Sequence, residues 1–335
     1  MEKSLEIYKS TLEKAIGYKE NIERAIQEIL KKEIKNIYLI GCGGSLGVMF
    51  SCKYILDINC NLPGYIYNAS EFLSLDPKNL DKKSLVILSS YTGETKETVD
   101  SAKYVKKIGA STIGFTGEEN SSLGKNVDYV FANNAKEGVT DSKLIMLYQV
   151  IFNIIKRTDN YDRYDEIMDT LSSLPENLVK IKEKVEEQAI EFAKNNKDEK
   201  FFMTLGSGPC WGEAYMFATC ILEEMQWIKA QPVHAGEYFH GAFEIVREDT
   251  NLIIFKGEDR TRPLIDRAEN FSRKYSKKIT LIDTKDFELP GVPDDFRGYL
   301  SPFVLLAVMD VYAKKLAEQR NHPLKIRKYM GKVEY

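Results

Sequence analysis

Short apolar runs closed by glycine or hydroxyl residues recur along this chain, and stretches of helical period follow them. Residues 36–41 read Asn-Ile-Tyr-Leu-Ile-Gly, pass into the turn Gly-Cys-Gly-Gly-Ser-Leu-Gly at 41–47, and give way to a helical pattern that ends near residue 58. Residues 85–89, Leu-Val-Ile-Leu-Ser, enter Ser-Tyr-Thr-Gly-Glu-Thr at 90–95 and then a helix reaching to residue 107. Further strands are predicted at 111–115 and 129–131. Strands alternating with helices make a parallel sheet, and ligands of such sheets bind beyond the carboxyl ends of the strands, where both polar loops lie.

The first design returns at residue 201, where Phe-Phe-Met-Thr-Leu-Gly-Ser-Gly-Pro is again a strand followed by a glycine turn. Gly206, Gly208 and Gly212 echo Gly41, Gly43 and Gly47, and the strands at 252–255 and 279–282 echo those at 85–89 and 111–115. The steady offset, about 165 residues, predicts a duplicated α/β fold: two tandem doubly wound parallel-sheet subdomains. The expected division is a helical N-terminal lead (1–33), a first subdomain (34–157), a helical connector (158–198), a second subdomain (199–320) and a C-terminal tail (321–335). In the lead, Leu5, Tyr8, Leu12, Ala15 and Ile16 share one helical face, which packs on the body or on a partner subunit.

Residues 220–241, Cys-Ile-Leu-Glu-Glu-Met-Gln-Trp-Ile-Lys-Ala-Gln-Pro-Val-His-Ala-Gly-Glu-Tyr-Phe-His-Gly, hold two of the three histidines. The spacing predicts a helix, a turn at Pro232 and a second helix. On the first helix Ala214, Phe217, Ala218, Ile221, Met225 and Ile228 form one apolar stripe. Glu223 falls opposite that stripe and Glu224 at its edge, so Glu223 is solvated and Glu224 half-buried. Desolvation moves a carboxyl toward the range useful for a general base. The second helix carries His234, Glu237 and His240. His234 and His240 are six apart and diverge around a helix, which disfavours a metal site, whereas Glu237 and His240 share a face and Glu237 can orient His240. An ordinary, partly buried histidine is the plainer reading of His240.

The loops of the first subdomain carry a different chemistry. A glycine turn after a strand points free backbone N–H groups at an anion, and Gly43, Gly44 and Ser45 stand where they can join such a site. Ser90, Thr92 and Thr95 converge with Gly93 on a second helix start. The glycine spacing fits neither a dinucleotide fingerprint nor a Walker loop. Hydroxyls and amides without a lysine suit a phosphate ester better than a triphosphate. The same residues are also helix-capping language, and the turn glycines can serve the turn alone. In the second copy Lys-Gly-Glu-Asp-Arg-Thr stands at 256–261, so the hydroxyl cluster is lost there.

The formal net charge of −3 and pI near 5.9 leave no basic surplus for nucleic acid. Five cysteines without CxxC spacing and no signal peptide point to reduced thiols in the cytoplasm, and no apolar run is long enough for a bilayer.

Assembled, these residues resemble the sugar isomerase (SIS) domain superfamily over nearly the whole chain. The Gly-Cys-Gly-Gly-Ser turn and the Ser-x-Thr-Gly-Glu-Thr loop look like its phosphosugar motifs. In the isomerase half of glucosamine-6-phosphate synthase a Glu lies sixteen positions before the His of an E-x-x-H-G-P motif, and Glu224 and His240 match that spacing. The departures are Thr92, commonly Ser, and Ala242, commonly Pro. No glutaminase domain or nucleophilic Cys at position 2 is present. The strings E-M-Q-W-I, H-x-G-E-Y-F-H-G-x-F-E-I and the tail from His322, H-P-L-x-x-R-x-Y-M-x-K-V-E-Y, look closer to the fructosamine-6-phosphate deglycases.

That resemblance implies Glu224 as proton-transfer base and His240 as ring-opening or leaving-group acid. It implies Gly43, Gly44, Ser45, Ser90, Thr92, Gly93 and Thr95 around the substrate phosphate, with no metal and no cofactor. It implies a homodimer or higher oligomer with the tail over the active site, a phosphosugar-amine as the small-molecule partner, and neither nucleic acid nor membrane. Glu237, Asp141, Ser142, Lys143, Arg320, His322, Arg327 and Tyr329 are candidates to contact or orient the substrate. Alternatives are a glucoselysine-6-phosphate deglycase yielding fructose 6-phosphate, another phosphosugar isomerase or deaminase, and a non-catalytic phosphosugar sensor.

Overall fold

The computed structural model of the chain describes residues 2–334. They divide into two compact units, residues 2–176 with 291–293, and residues 177–290 with 294–334. The division falls inside a single helix, Tyr164–Lys184, within the stretch expected as a helical connector.

In the first unit the strands are β1 (Asn36–Gly41), β2 (Gly64–Asn68), β3 (Ser84–Ser89), β4 (Ser111–Thr116) and β5 (Tyr129–Ala132). All pair in parallel in the order β2-β1-β3-β4-β5. β1, β3 and β4 are buried along their whole length; the apolar runs of β1 and β3 suit strands covered on both faces, and in β4 the buried Thr112 hydroxyl donates to Asp128 at 3.0 Å. β2 was not expected. Its Gly-Tyr-Ile-Tyr-Asn is half-buried throughout, as an edge strand with one side open. The chain turns outward from β1 to β2 on one side and from β3 to β4 on the other, so the topological switch lies between β1 and β3.

Behind the sheet runs the helix Val139–Asp159, buried at every residue from Asp141 to Ile155. The N-terminal lead is two helices, Glu2–Ile16 and Lys19–Ile29, and the first packs on that central helix. Tyr8 donates to Asp141 Oδ1 at 2.8 Å, and Gln149 donates to the Ile16 carbonyl at 3.0 Å. Truncating a fully buried residue here, such as Leu147 to Ala, costs about 2–5 kcal/mol.

The second unit carries β6 (Phe201–Gly206), β7 (Lys229–His234), β8 (Asn251–Lys256) and β9 (Lys278–Asp283), parallel and ordered β7-β6-β8-β9. This is the first sheet's order without a fifth strand. Starts at 36, 64, 84 and 111 recur at 201, 229, 251 and 278, so the offset of 165 to 167 residues holds for the unexpected strand as well. The segment expected to turn at Pro232 and open a second helix is β7. Pro232 pairs with Thr204 on the outer strand of the sheet, the place where a residue without an N–H is tolerated. The chain then makes two 3-10 turns, Tyr238–His240 and Ala242–Ile245. His234, Glu237 and His240 therefore share no helix.

The first predicted helix of this region exists in altered form. It is α-helical over Trp211–Met216 and π-helical over Phe217–Met225. The wider π turns move Leu222 onto the buried stripe and leave Ile221 and Met225 only half-buried. Glu223 is exposed and Glu224 half-buried. Trp227, at φ 56°, ends the run. No helix among the described residues is long and apolar enough to cross a membrane.

Candidate active site

In the first unit both polar loops leave neighbouring strands at the switch point, for Gly41 and Ser89 are register partners. Gly43 takes φ 52° and ψ −130°, a conformation that favours glycine, and this folds Gly44 and Ser45 into a short helical turn. The next loop closes on itself. Ser90 Oγ lies 2.8 Å from Thr95 Oγ1 and 3.5 Å from Thr92 Oγ1. The Gly93 amide donates to Ser90 Oγ and the Glu94 amide to Thr92 Oγ1, both at 3.1 Å. Gly93 has φ 70°, and a Cβ there would run into the Ser121 side chain. Glu94 points away, accepting from the Ser122 amide and hydroxyl at 2.8 and 2.6 Å, bonds that hold its carboxyl below the usual range. The helix Lys96–Ile108 begins immediately after Thr95, whose hydroxyl makes no capping bond. The three hydroxyls thus gather at a helix N-terminus without capping it.

The expectation of a cradle without lysine is corrected by the fold. Lys143, on the central helix, donates to Ser45 Oγ at 3.0 Å from 98 residues away. Its neighbours have other tasks. Ser142 is turned back on its own helix, donating to the Gly138 carbonyl at 2.6 Å and accepting from Asn133, and Asp141 receives Tyr8.

In the second unit Glu224 projects from the last turn of the π-helix, and its Oε1 is 2.7 Å from the Arg327 guanidinium. Arg327 also donates to the carbonyls of Leu324 and Ile326 at 2.6 and 3.1 Å, which fixes its fork. Two further bonds tie the same segments: Gln226 Nε2 donates to the His322 carbonyl at 2.8 Å, and Arg320 donates to the Gln226 carbonyl at 3.3 Å. The His322 ring meets Trp227 edge-on at 4.5 Å. Arg320 and His322 thus anchor the tail, while Tyr329 stands 60% exposed beyond it. Glu223 accepts only a long bond from the Ala230 amide, at 3.4 Å.

His240 is exposed at the end of its 3-10 turn. The Glu237 charge is felt by His234 instead. Burial pushes His234 below its ordinary range, Glu237 partly opposes this, and His234 Nδ1 accepts from the Gly236 amide at 3.1 Å. His234 is a neutral packing residue set edge-on against Trp211. A half-buried carboxylate held by a guanidinium and an exposed imidazole on a short turn are the acid–base side chains this part of the unit presents.

Comparison with known proteins narrows the chemistry. The SIS domain model matches residues 29–153. The chain is 39% identical over 324 residues to the fructosamine deglycase FrlB of Bacillus subtilis (strain 168), covering 94% of this chain and 97% of that one. It belongs to the SIS-domain fructosamine deglycase family. The fructoselysine 6-phosphate deglycase of Escherichia coli O157:H7 is 25% identical over 315 residues, covering 94% and 91% of the two chains. A crystal structure from Bacillus subtilis, of a protein provisionally described as a phosphosugar isomerase, superposes with a TM-score of 0.88 at 36% identity and covers all of both chains.

Within this family frame, two contacts escaped the sequence. Lys143 and Arg327 were grouped as candidates to touch the substrate, with no sign of their partners. For Lys143 a signal existed: one charge opening the run Leu144–Ile155 of a helix buried on every side. Arg327 had none beyond its place in the tail string.

Proposed function

We propose that this protein is a deglycase cleaving a phosphorylated Amadori compound, a fructosamine 6-phosphate such as fructose-asparagine 6-phosphate or fructoselysine 6-phosphate, to glucose 6-phosphate and free amino acid. The hydroxyl cradle at the β1/β3 switch point carries the reading, kept in a chain 39% identical to a fructosamine deglycase along nearly its whole length. The phosphate is held by Ser45, Ser90, Thr92 and Thr95 with the amides of Gly43, Gly44 and Gly93. Holding the phosphate positions C1 and C2 for proton transfer, which is use of remote binding energy.

The chemistry needs one base and one acid. His240 assists ring opening to the C2 ketone. Glu224 removes a proton from C1, giving the enolamine, and a proton returned to C2 leaves an imine at C1. Water adds to the imine carbon, the C–N bond breaks, and the amine leaves with a proton. Arg327 holds the Glu224 carboxylate in register, its contact at 2.7 Å supporting this role.

The test is release of glucose 6-phosphate from fructose-asparagine 6-phosphate and fructoselysine 6-phosphate, read by a coupled assay with EDTA present. Release far above that of Glu224→Gln is expected from at least one. Fructose 6-phosphate from glucoselysine 6-phosphate instead moves the assignment to that reaction, and no release from any of the three overturns the deglycase reading.

A further inference from the structure

The phosphate reading leaves the negative charge of the ester unbalanced if only hydroxyls and amides hold it. The loops at 41–47 and 90–95 contain no cation, and their one ionisable group with a charge is Glu94. Lys96, next along, extends into solvent beside Asp100 at 3.6 Å. The cation that reaches the cradle comes from elsewhere in the unit.

Lys143 is 7% exposed, on a helix buried from Asp141 to Ile155. Burying an ammonium is costly, and its position is informative for that reason. The bond to Ser45 Oγ has a chemical consequence. A serine hydroxyl has one proton to give and two lone pairs. By taking the Lys143 donor on a lone pair, Ser45 keeps its own O–H for another acceptor, and among the described residues none takes it. The lysine charge therefore stands beside a hydroxyl that keeps its own proton to donate, where it strengthens that donor and attracts a dianion.

The second unit provides an internal control. Its equivalent helix, Arg297–Gln319, carries Ser301 at its fifth residue, as Val139–Asp159 carries Lys143 at its fifth. There the loop after β8 supplies Glu258 and Asp259, and Ser301 accepts from the Glu258 amide at 3.0 Å. Where the loop is acidic, the helix has no cation at this position.

We infer that Lys143 is the charge-determining residue of the phosphate cradle, acting as a positioning residue through Ser45 to select a phosphomonoester dianion over a neutral sugar. The inference rests on the phosphate reading, and not on turnover. It restricts the substrate class to phosphorylated fructosamines and excludes their unphosphorylated counterparts.

The test is calorimetric titration of the full chain with glucose 6-phosphate and with glucose. Wild type is expected to prefer the phosphate ester strongly. Lys143→Met should lose about 10- to 100-fold of glucose 6-phosphate affinity, the range of a charged hydrogen bond, with glucose affinity unchanged. Lys143→Arg should retain most of it. A structural role predicts no pH signature. The proposal predicts that wild-type affinity falls below about pH 6, as the phosphate takes up its second proton, and that this dependence flattens in Lys143→Met. Lys143→Met binding within about threefold of wild type overturns the assignment and leaves the phosphate cradle standing. A wild type that does not prefer glucose 6-phosphate to glucose overturns the cradle and this inference with it. If Lys143→Met does not fold, a wild-type affinity that is flat across that pH range overturns the inference.

Discussion

The two units repeat one design and end it in opposite ways. In the first, the strand ends at the β1/β3 switch carry Ser45, Ser90, Thr92 and Thr95 backed by Lys143. In the second, the matching ends at β6 and β8 are closed by their own side chains. Cys210 stands where the first unit has Ser45, and a Cβ on Gly257 would fall 2.6 Å from its sulfur. Glu258 is bound by the Arg297 fork at 2.8 Å, and Asp259 accepts from the Thr261 amide and hydroxyl at 2.8 and 2.6 Å. Burial pushes the Asp259 carboxyl above its usual range, and the donors of this loop are already taken by Asp259 and Glu258, so it offers no open cluster of hydroxyls to an anion. The second unit carries its candidate chemistry away from this switch, on the π-helical turn with Glu224 and in the loop after β7 with His240. Duplication supplied two frames. One keeps an open hydroxyl cluster backed by a lysine, and the other closes the matching loop with its own side chains and carries its candidate acid–base groups elsewhere.

If that division is right, changes in the first unit weaken phosphate binding and changes in the second slow turnover. The largest effect is expected for Glu224→Gln. Its turnover should fall about 10²- to 10⁴-fold with glucose 6-phosphate binding intact, while Glu223→Gln, one residue away and exposed, stays near wild type. Near-normal turnover of Glu224→Gln would remove the base from the second unit and break the comparison.

The next effect separates equivalent positions. Ser45→Ala should weaken glucose 6-phosphate binding by roughly 10-fold in titration, the worth of a charge-assisted hydrogen bond. Cys210→Ala should leave that affinity unchanged and instead lower stability by about 1–2 kcal/mol in denaturant unfolding, since it only opens a small space in a closed loop. Equal losses of binding in both variants would mean that the second cradle also receives ligand.

Arg327→Met should lower turnover about 10-fold without changing glucose 6-phosphate affinity, because it frees the Glu224 carboxylate from its partner without touching the phosphate loops. A binding loss with normal turnover would instead make Arg327 a ligand contact.

The smallest effect concerns His234. Its folded form resists protonation because it is buried, so the unfolded chain takes up a proton first as pH falls through 6.5. Stability then falls with falling pH below that point. Melting curves between pH 7 and pH 5 should show a steeper decline for wild type than for His234→Phe. Parallel declines would mean that His234 is not held neutral by packing.

Much of this was legible in the chain. The apolar runs of β1, β3 and β8 identify strands covered on both faces, and the loops that follow them are polar for a reason visible in one dimension. The exposure of Glu223 beside half-buried Glu224 also followed from spacing, although the helix proved to be π-helical there. The edge strands β2 and β7 were not legible. Half-burial gives them neither a continuous apolar run nor a clean alternation, and Pro232 reads as a turn until the sheet edge that tolerates it is known.

The sequence by itself determined the repeated α/β frame, the family, and which loops face the strand ends. These depend on local period and on motifs a few residues long. Only the tertiary structure decided that Lys143 stands behind Ser45, that Arg327 holds Glu224, that Glu237 acts on His234, and that the second cradle is closed. Each of these depends on which side chains the packing brings within a few ångströms. For the first two the partners lie about a hundred residues apart, and no periodic pattern encodes which of many lysines or arginines arrives.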